Sequence, residues 1–301
     1  MINLIKVISY FSIFKYPLTA DEIFYFSNKK EKDKVLEELN VLKEKGVIQE
    51  SEGFYSETNN DELIARRKKG NEEANLIMPK AWEISKLISK FPYISSVCIS
   101  GSLSKGYFED KSDIDFFIIT NKNRLWIART LLILYKKIFL LNSKKYFCVN
   151  YFMSSGHLEI EEQNRFTATE IVTLIPTYGK DMFHDFVRNN QWVYDYYPNF
   201  KIDSENTKNI SKNFFSNSIE KVLNKKLGNK LERFFMKITI KKWNNKFNHL
   251  SKEDFEIAFK SSENVSKHHP SNFQKKVLNL LNEKYENIEK KYYIKLEPEN
   301  V

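Results

Sequence analysis

The chain has 301 residues, 42% of them hydrophobic and 15% aromatic, with a formal net charge of +9 at pH 7. That composition excludes global disorder, and 8 Gly with 7 Pro exclude a collagen-like or loop-dominated chain. The basic excess invites a nucleic-acid or anionic-ligand reading, but it is concentrated: residues 1–56 carry −1, 57–90 and 91–200 carry +1 each, and 201–301 carry +8.

From the N-terminus, residues 2–14 read as a helix with Leu4, Ile5, Ile8, Phe11 and Ile13 inward. Thr19-Ala-Asp-Glu22 has the pattern of a capping box and opens a short helix over 20–26. Lys32–Lys45 is a third helix, with Val35, Leu36, Leu39 and Leu42 at helical spacing, and Gly46 stops it. Val47–Tyr55 reads as two short strands around Glu52-Gly53. This is the order of a winged helix, which sets a first domain at 1–58.

Residues 59–92 form a helical connector, with a break expected near Gly70 and an end at Pro92. A β-branched strand follows at Ser95–Ser100, then a turn over 102–108 and a second strand at Asp113–Thr120. Arg124–Leu141 is an apolar helix, and Tyr146–Met153 a third strand. Thr167-Ala-Thr-Glu170 reads as another capping box, opening a helix toward Pro176. Residues 181–190 are helical, and 205–290 are helical throughout, interrupted near Gly228 and Pro270. The expected class is α+β: a mixed sheet with flanking helices at 93–165, preceded by the winged helix and followed by an α-helical region at 166–301.

The chemistry concentrates in Ser100-Gly101-Ser102-Leu103-Ser104-Lys105-Gly106 and in Asp113-Ile114-Asp115. An apolar strand ends in a small-residue turn whose N–H groups suit phosphate oxygens. Ser102 adds a hydroxyl, and Lys105 lies one turn on. On a strand, Asp113 and Asp115 would share a face roughly 7 Å apart. Two like charges there call for a counter-ion, and Mg²⁺ prefers carboxylate oxygens together with substrate phosphates.

These residues resemble the signature of the DNA polymerase β-type nucleotidyltransferase superfamily, in the style of its minimal nucleotidyltransferase proteins. The direct resemblance covers about 94–120, and element order extends it to about 155. It implies that Gly101 and Ser102 hold the triphosphate of an NTP such as ATP, with Lys105 a further candidate. It also implies that Asp113 and Asp115 bind catalytic Mg²⁺ or Mn²⁺. The reaction implied is nucleotidyl transfer from an NTP to an acceptor, with release of pyrophosphate.

The family pattern places a third carboxylate, metal ligand and general base, on a later strand. Here that strand holds Asn150, which cannot take a proton at neutral pH. Glu159 or Glu161 could substitute. Alternatively the acceptor needs no strong base, or the protein is a catalytically degenerate relative that binds nucleotide or a partner protein. A third possibility is a winged-helix DNA-binding regulator with a nucleotide-sensing domain. The helix at 32–45 mixes cations with acids, so DNA is possible but not favoured. The acceptor is left open among a protein, an RNA and a small molecule.

Cys98 and Cys148 lie in apolar runs and read as buried free thiols. No signal peptide pattern precedes the first helix, and Leu125–Leu141 is too charged to span a bilayer, so a soluble cytoplasmic protein without membrane contact is expected. Trp192, Tyr194, Tyr196 and Tyr197 are expected in the core, as are Phe214, Phe215, Phe234 and Phe235. His268-His269-Pro270 reads as the start of the last helix rather than as a metal site. Lys221, Lys225, Lys226, Lys230, Arg233, Lys237, Lys241, Lys242 and Lys246 recur at helical intervals, and the sharper expectation is a basic face bordering the active site.

Overall fold

The computed structural model describes residues 1–58, 61–268 and 272–300. His269 and Pro270, read above as part of a helix start, lie outside them. The N-terminal layer comprises α1 (Ile2–Ile13), β1 (Leu18–Thr19), α2 (Ala20–Tyr25), α3 (Lys32–Glu44), β2 (Gln49–Ser51) and β3 (Phe54–Ser56). Its three strands form an antiparallel sheet in the order β1-β3-β2. The Thr19 capping box forms: Glu22 N–H donates to Thr19 Oγ1 at 3.3 Å, and Thr19 N–H donates to Glu22 Oε2 at 2.9 Å. Strand β1 was not expected; its two residues are legible only through their pairing with Phe54 and Tyr55.

Helix α4 (Asp61–Ser89) runs unbroken through Gly70. Gly70 serves a close approach instead: a β-carbon there would lie 2.1 Å from the Tyr107 ring. Next come β4 (Ile94–Ser100), a single 3-10 turn at Leu103–Lys105, β5 (Asp115–Thr120), α5 (Leu125–Phe139) and β6 (Cys148–Ser154). Strand β5 starts two residues later than expected, so Asp113 lies just before the strand, not on it. Helix α6 (Arg165–Val172) starts upstream of the supposed capping box, because Asn164 Oδ1 accepts the Thr167 N–H at 3.0 Å and is the cap. Thr167 is therefore inside the helix.

The remaining elements are β7 (Ile175–Tyr178), α7 (Lys180–Asn189), α8 (Val193–Tyr196), α9 (Phe214–Leu223), α10 (Lys226–Lys246), α11 (Lys252–Ala258), β8 (Val265–Lys267) and α12 (Phe273–Tyr292). The region expected to be purely helical thus contributes two strands. Both are sheet edges, in the order β7-β4-β5-β6-β8. An edge position explains why Pro176, read above as a helix stop, sits within a strand. Strands β5 and β6 are parallel, and the other pairings are antiparallel.

The sheet is covered on both faces. Val97, Ile99, Phe116, Ile118 and Phe152 pack with α4, α5 and α10. Cys98, Phe117, Ile119 and Met153 join a second apolar cluster that runs through α6, α7 and α12 into the core of the N-terminal layer. No break in apolar packing separates that layer from the sheet. Tyr197 belongs to this cluster, packed on Phe26 with ring centroids 5.3 Å apart. Phe214, Phe215 and Phe234 do not reach a core and are 80%, 76% and 54% exposed. They were expected in a helix-bundle core, but on α9 and α10 they face outward in the described residues. No helix among the described residues is long and apolar enough to cross a membrane.

Candidate active site

The strand-turn-strand segment brings the candidate residues to one cavity. Antiparallel pairing sets Ser100 opposite Asp115, so the end of β4 and the start of β5 lie side by side. Gly101 then turns the chain at φ +70°, and a β-carbon there would lie 2.6 Å from Asp115 Oδ2. Only glycine allows the turn to press against that carboxylate. The first N–H groups of the 3-10 turn have no partner inside it, and they stand beside Ser102. Lys105 Nζ donates back to Gly101 O at 3.0 Å and pairs with Glu170 at 2.9 Å.

Asn150 comes to the same place by way of the sheet. Parallel pairing puts Cys148 opposite Asp115, and the register shifts between Phe116 and Phe117. That bulge turns Asn150 and Tyr151 toward the same cavity. Asn150 Nδ2 donates to Asp115 Oδ1 at 3.4 Å and to Cys148 Sγ at 2.8 Å. Burial pushes the Asp115 carboxyl up to about 6, opposed by a hydrogen bond from the Cys148 thiol and reinforced by the charges of Asp113 and Glu170. Cys98 and Cys148 are both free and buried, and burial pushes the Cys98 thiol up to about 12.

The cavity measures about 540 Å³. One wall holds Gly101, Ser102, Lys105, Asp113, Asp115 and Asn150, so all six residues expected at a site line it. The opposite wall comes from Tyr10, Phe11 and Phe14 of α1 and from Glu170 and Ile171 of α6. Tyr16 Oη donates to Lys105 O at 2.8 Å, and Asn71 of α4 donates to Gly106 O. The N-terminal layer and α4 therefore hold the turn from outside.

Glu170 was missed as a site residue. It was assigned to a cap by local pattern, and only the packing of α6 over the sheet brings it opposite Asp115. Glu159 and Glu161 do not reach this cavity. They line a smaller depression, where Glu161 pairs with Lys260 at 2.8 Å. None of the nine basic residues expected on one helical face lines the cavity. Helix α10 packs on α5, across the sheet from Asp115.

The donor set suits a hard divalent cation shared with a ligand. Asp113 and Asp115 offer carboxylate oxygens, and the charge of a cation offsets both burial and like-charge repulsion at Asp115. Among the described residues no group of three or more His, Cys, Asp or Glu forms a metal cluster of its own.

A glycine turn thus presses on an aspartate at the start of a central strand, within a mixed sheet flanked by helices. Residues 82–218 match the nucleotidyltransferase domain family, and this part of the chain is a core of that superfamily. The match runs from α4 into α9 and spans the whole Gly101–Asp115 segment. No curated protein and no solved structure matches the chain. Domains of this family carry out nucleotidyl transfer and generally use an NTP and a divalent metal.

Proposed function

We propose that the protein transfers a nucleotidyl group from an NTP to an acceptor hydroxyl and releases pyrophosphate. The observation that carries this reading is the contact of Gly101 with the Asp115 carboxylate inside a cavity that also holds Asp113, Ser102 and Lys105. Asp113 and Asp115 hold Mg²⁺ or Mn²⁺. When bound, the metal supplies positive charge to the phosphates. The turn at Gly101 and Ser102 donates N–H and hydroxyl groups to the β- and γ-phosphates, and Lys105 adds a mobile cation. Asn150 orients Asp115. Glu170 receives the acceptor's proton, a task that an amide at Asn150 cannot perform.

Residues 1–58 are read as a winged-helix unit that serves docking, not DNA binding. Its α3 region supports this, because Lys29 pairs with Glu38, Lys32 with Asp21, Lys34 with Glu31 and Lys43 with Glu50. Paired cations release few counterions on DNA. Asn150 favours a second reading, a nucleotide-binding relative without turnover.

Incubation with α-labelled NTPs, a cell extract and either metal separates the two. The wild type is expected to transfer label, and Asp113→Ala/Asp115→Ala to lose it by about 10²–10³-fold. Equal label from both proteins would overturn the enzyme reading. Nucleotide binding without transfer would establish the second. Glu170→Gln is expected to abolish transfer while nucleotide affinity holds or rises, since Lys105 is then free.

A further inference from the structure

The cavity extends well beyond the Gly101–Asp115 wall, and its far end has a different chemistry. Strand β8 pairs with β6, setting Lys267 directly opposite Tyr151. The Lys267 side chain shares the cavity with Tyr151 and is 8% exposed. Its ammonium donates to Gln274 Oε1 at 2.8 Å and pairs with no carboxylate among the described residues. Glu162, which also lines the cavity, is paired with Lys260 at 3.2 Å. Burial lowers the Lys267 pKa, with Glu162 acting against that. Asn272, also in the lining, has a buried Oδ1 without a partner among the described residues.

The other cations of the cavity are occupied. Lys105 pairs with Glu170 at 2.9 Å, and Arg66 with Glu109 at 3.2 Å. Apolar and aromatic side chains also line the cavity. Phe273 packs at 6.0 Å from Phe166 and 6.1 Å from Phe14, measured between ring centroids. A buried lysine whose only acidic influence is Glu162, a lining residue already paired with Lys260, is an under-compensated cation that an anion would relieve.

From Asp115 to Lys267 is two strand spacings across and two residues along the sheet, roughly 12 Å between backbone positions. That separation is comparable to the length of a small molecule of one or two rings. A polynucleotide would need several unopposed cations along its path, and the cavity offers one.

Resting on the nucleotidyltransferase reading above, we infer that the Lys267 end is the acceptor site, and that the acceptor is a small, largely aromatic or apolar molecule with one anionic group and one hydroxyl. The anion meets Lys267, and the body stacks among Phe14, Phe166 and Phe273. The hydroxyl oxygen forms a bond to the α-phosphorus as the bond from that phosphorus to the bridging oxygen breaks. Pyrophosphate leaves with the bonding pair, and the hydroxyl proton passes to the Glu170 carboxylate.

The test uses the full chain and two fluorescent probes, 8-anilinonaphthalene-1-sulfonate and its uncharged counterpart N-phenyl-1-naphthylamine. Lys267→Met is expected to bind the sulfonate roughly tenfold more weakly and the uncharged probe unchanged, while Lys267→Arg keeps both affinities. The arginine variant and the uncharged probe show that the cavity is still folded. Saturating Mg²⁺ with α,β-methylene-ATP is expected to leave sulfonate binding in place. Equal sulfonate affinity of wild type and Lys267→Met would overturn the anion site. Displacement of the sulfonate by the nucleotide analogue would overturn the acceptor assignment and give this end to the nucleoside. Failure of the nucleotide reading looks different: the analogue would then give no thermal shift in the wild type, while the Lys267 comparison would still read the anion site.

Discussion

The two faces of the central sheet are covered by the same kind of element and do opposite things. Behind the sheet, α5 and α10 bury Trp126 and Trp243 with ring centroids 6.4 Å apart. Charge there is used to complete backbone hydrogen bonding. The Glu232 carboxylate of α10 accepts from the N–H groups of Trp126 at 2.7 Å and Ile127 at 2.9 Å, capping α5 from another helix. In front of the sheet, the carboxylates of Asp113, Asp115 and Glu170 gather around a cavity. They have one ammonium, Lys105, close by. Arg129, also behind the sheet, lies buried against the Trp126 and Trp243 rings, whereas the front face gathers three carboxylates about one ammonium and leaves their charge incompletely balanced. Such imbalance is the mark of a ligand site.

That contrast is sharpest in the sign of a stability change. The Asp115 carboxyl is raised from 3.8 to about 6, so the ionised form is disfavoured in the folded state by about 3 kcal/mol. Asp115→Asn is therefore expected to stabilise the metal-free protein at pH 7 by up to that amount. The wild type regains stability as the pH falls through 6, and the advantage of the variant disappears below about 4. Urea unfolding at pH 4 and pH 7 measures this, and a destabilised variant at pH 7 would erase the distinction between the faces.

Glu232→Ala should act in the opposite direction. Loss of two cap bonds is expected to cost about 2 kcal/mol while nucleotide affinity at the front face stays unchanged. A parallel loss of nucleotide binding would mean that the faces are coupled. Coupling is expected elsewhere, through the hydrogen bond from Tyr16 to Lys105 O. Tyr16→Phe should cost about 1 kcal/mol in nucleotide binding, read by calorimetry, and an unchanged affinity would detach the N-terminal layer from the site. The smallest effect is expected for Lys237→Glu/Lys241→Glu on α10. Transfer and its salt dependence should change by less than about 0.5 kcal/mol, because neither residue lines the cavity.

Local patterns carried the elements that depend on local physics. The Thr19 capping box, the stop at Gly46 and the hairpin at Glu52-Gly53 need only neighbouring residues, and each forms. So does the strand-turn-strand segment with its turn at Gly101, although β5 begins at Asp115 and not at Asp113 as alternation suggests. The same local logic failed where a distant partner decided the outcome. Thr167–Glu170 has a cap pattern, but Asn164 outcompetes it one turn earlier. Pro176 is a strand residue because β7 falls at an edge. Phe214 and Phe215 on α9 and Phe234 on α10 stay exposed, because among the described residues no neighbouring element packs on them.

By itself, the sequence picked out the residues that meet at one wall of the cavity: Gly101, Ser102, Asp113 and Asp115 sit within fifteen residues of one another, and short spacing leaves little conformational freedom. It also showed that Asn150 is no base. Only the tertiary structure decided what stands opposite them. Glu170 is brought in by α6 packing over the sheet, Lys267 by an edge strand 150 residues away, and the aromatic wall by α1. It also sent the lysine-rich α10 to the far side of the sheet, so the charge that dominates the composition lies away from the cavity. Net charge is a sum over the chain, and a sum carries no information about which face of a sheet a helix will cover.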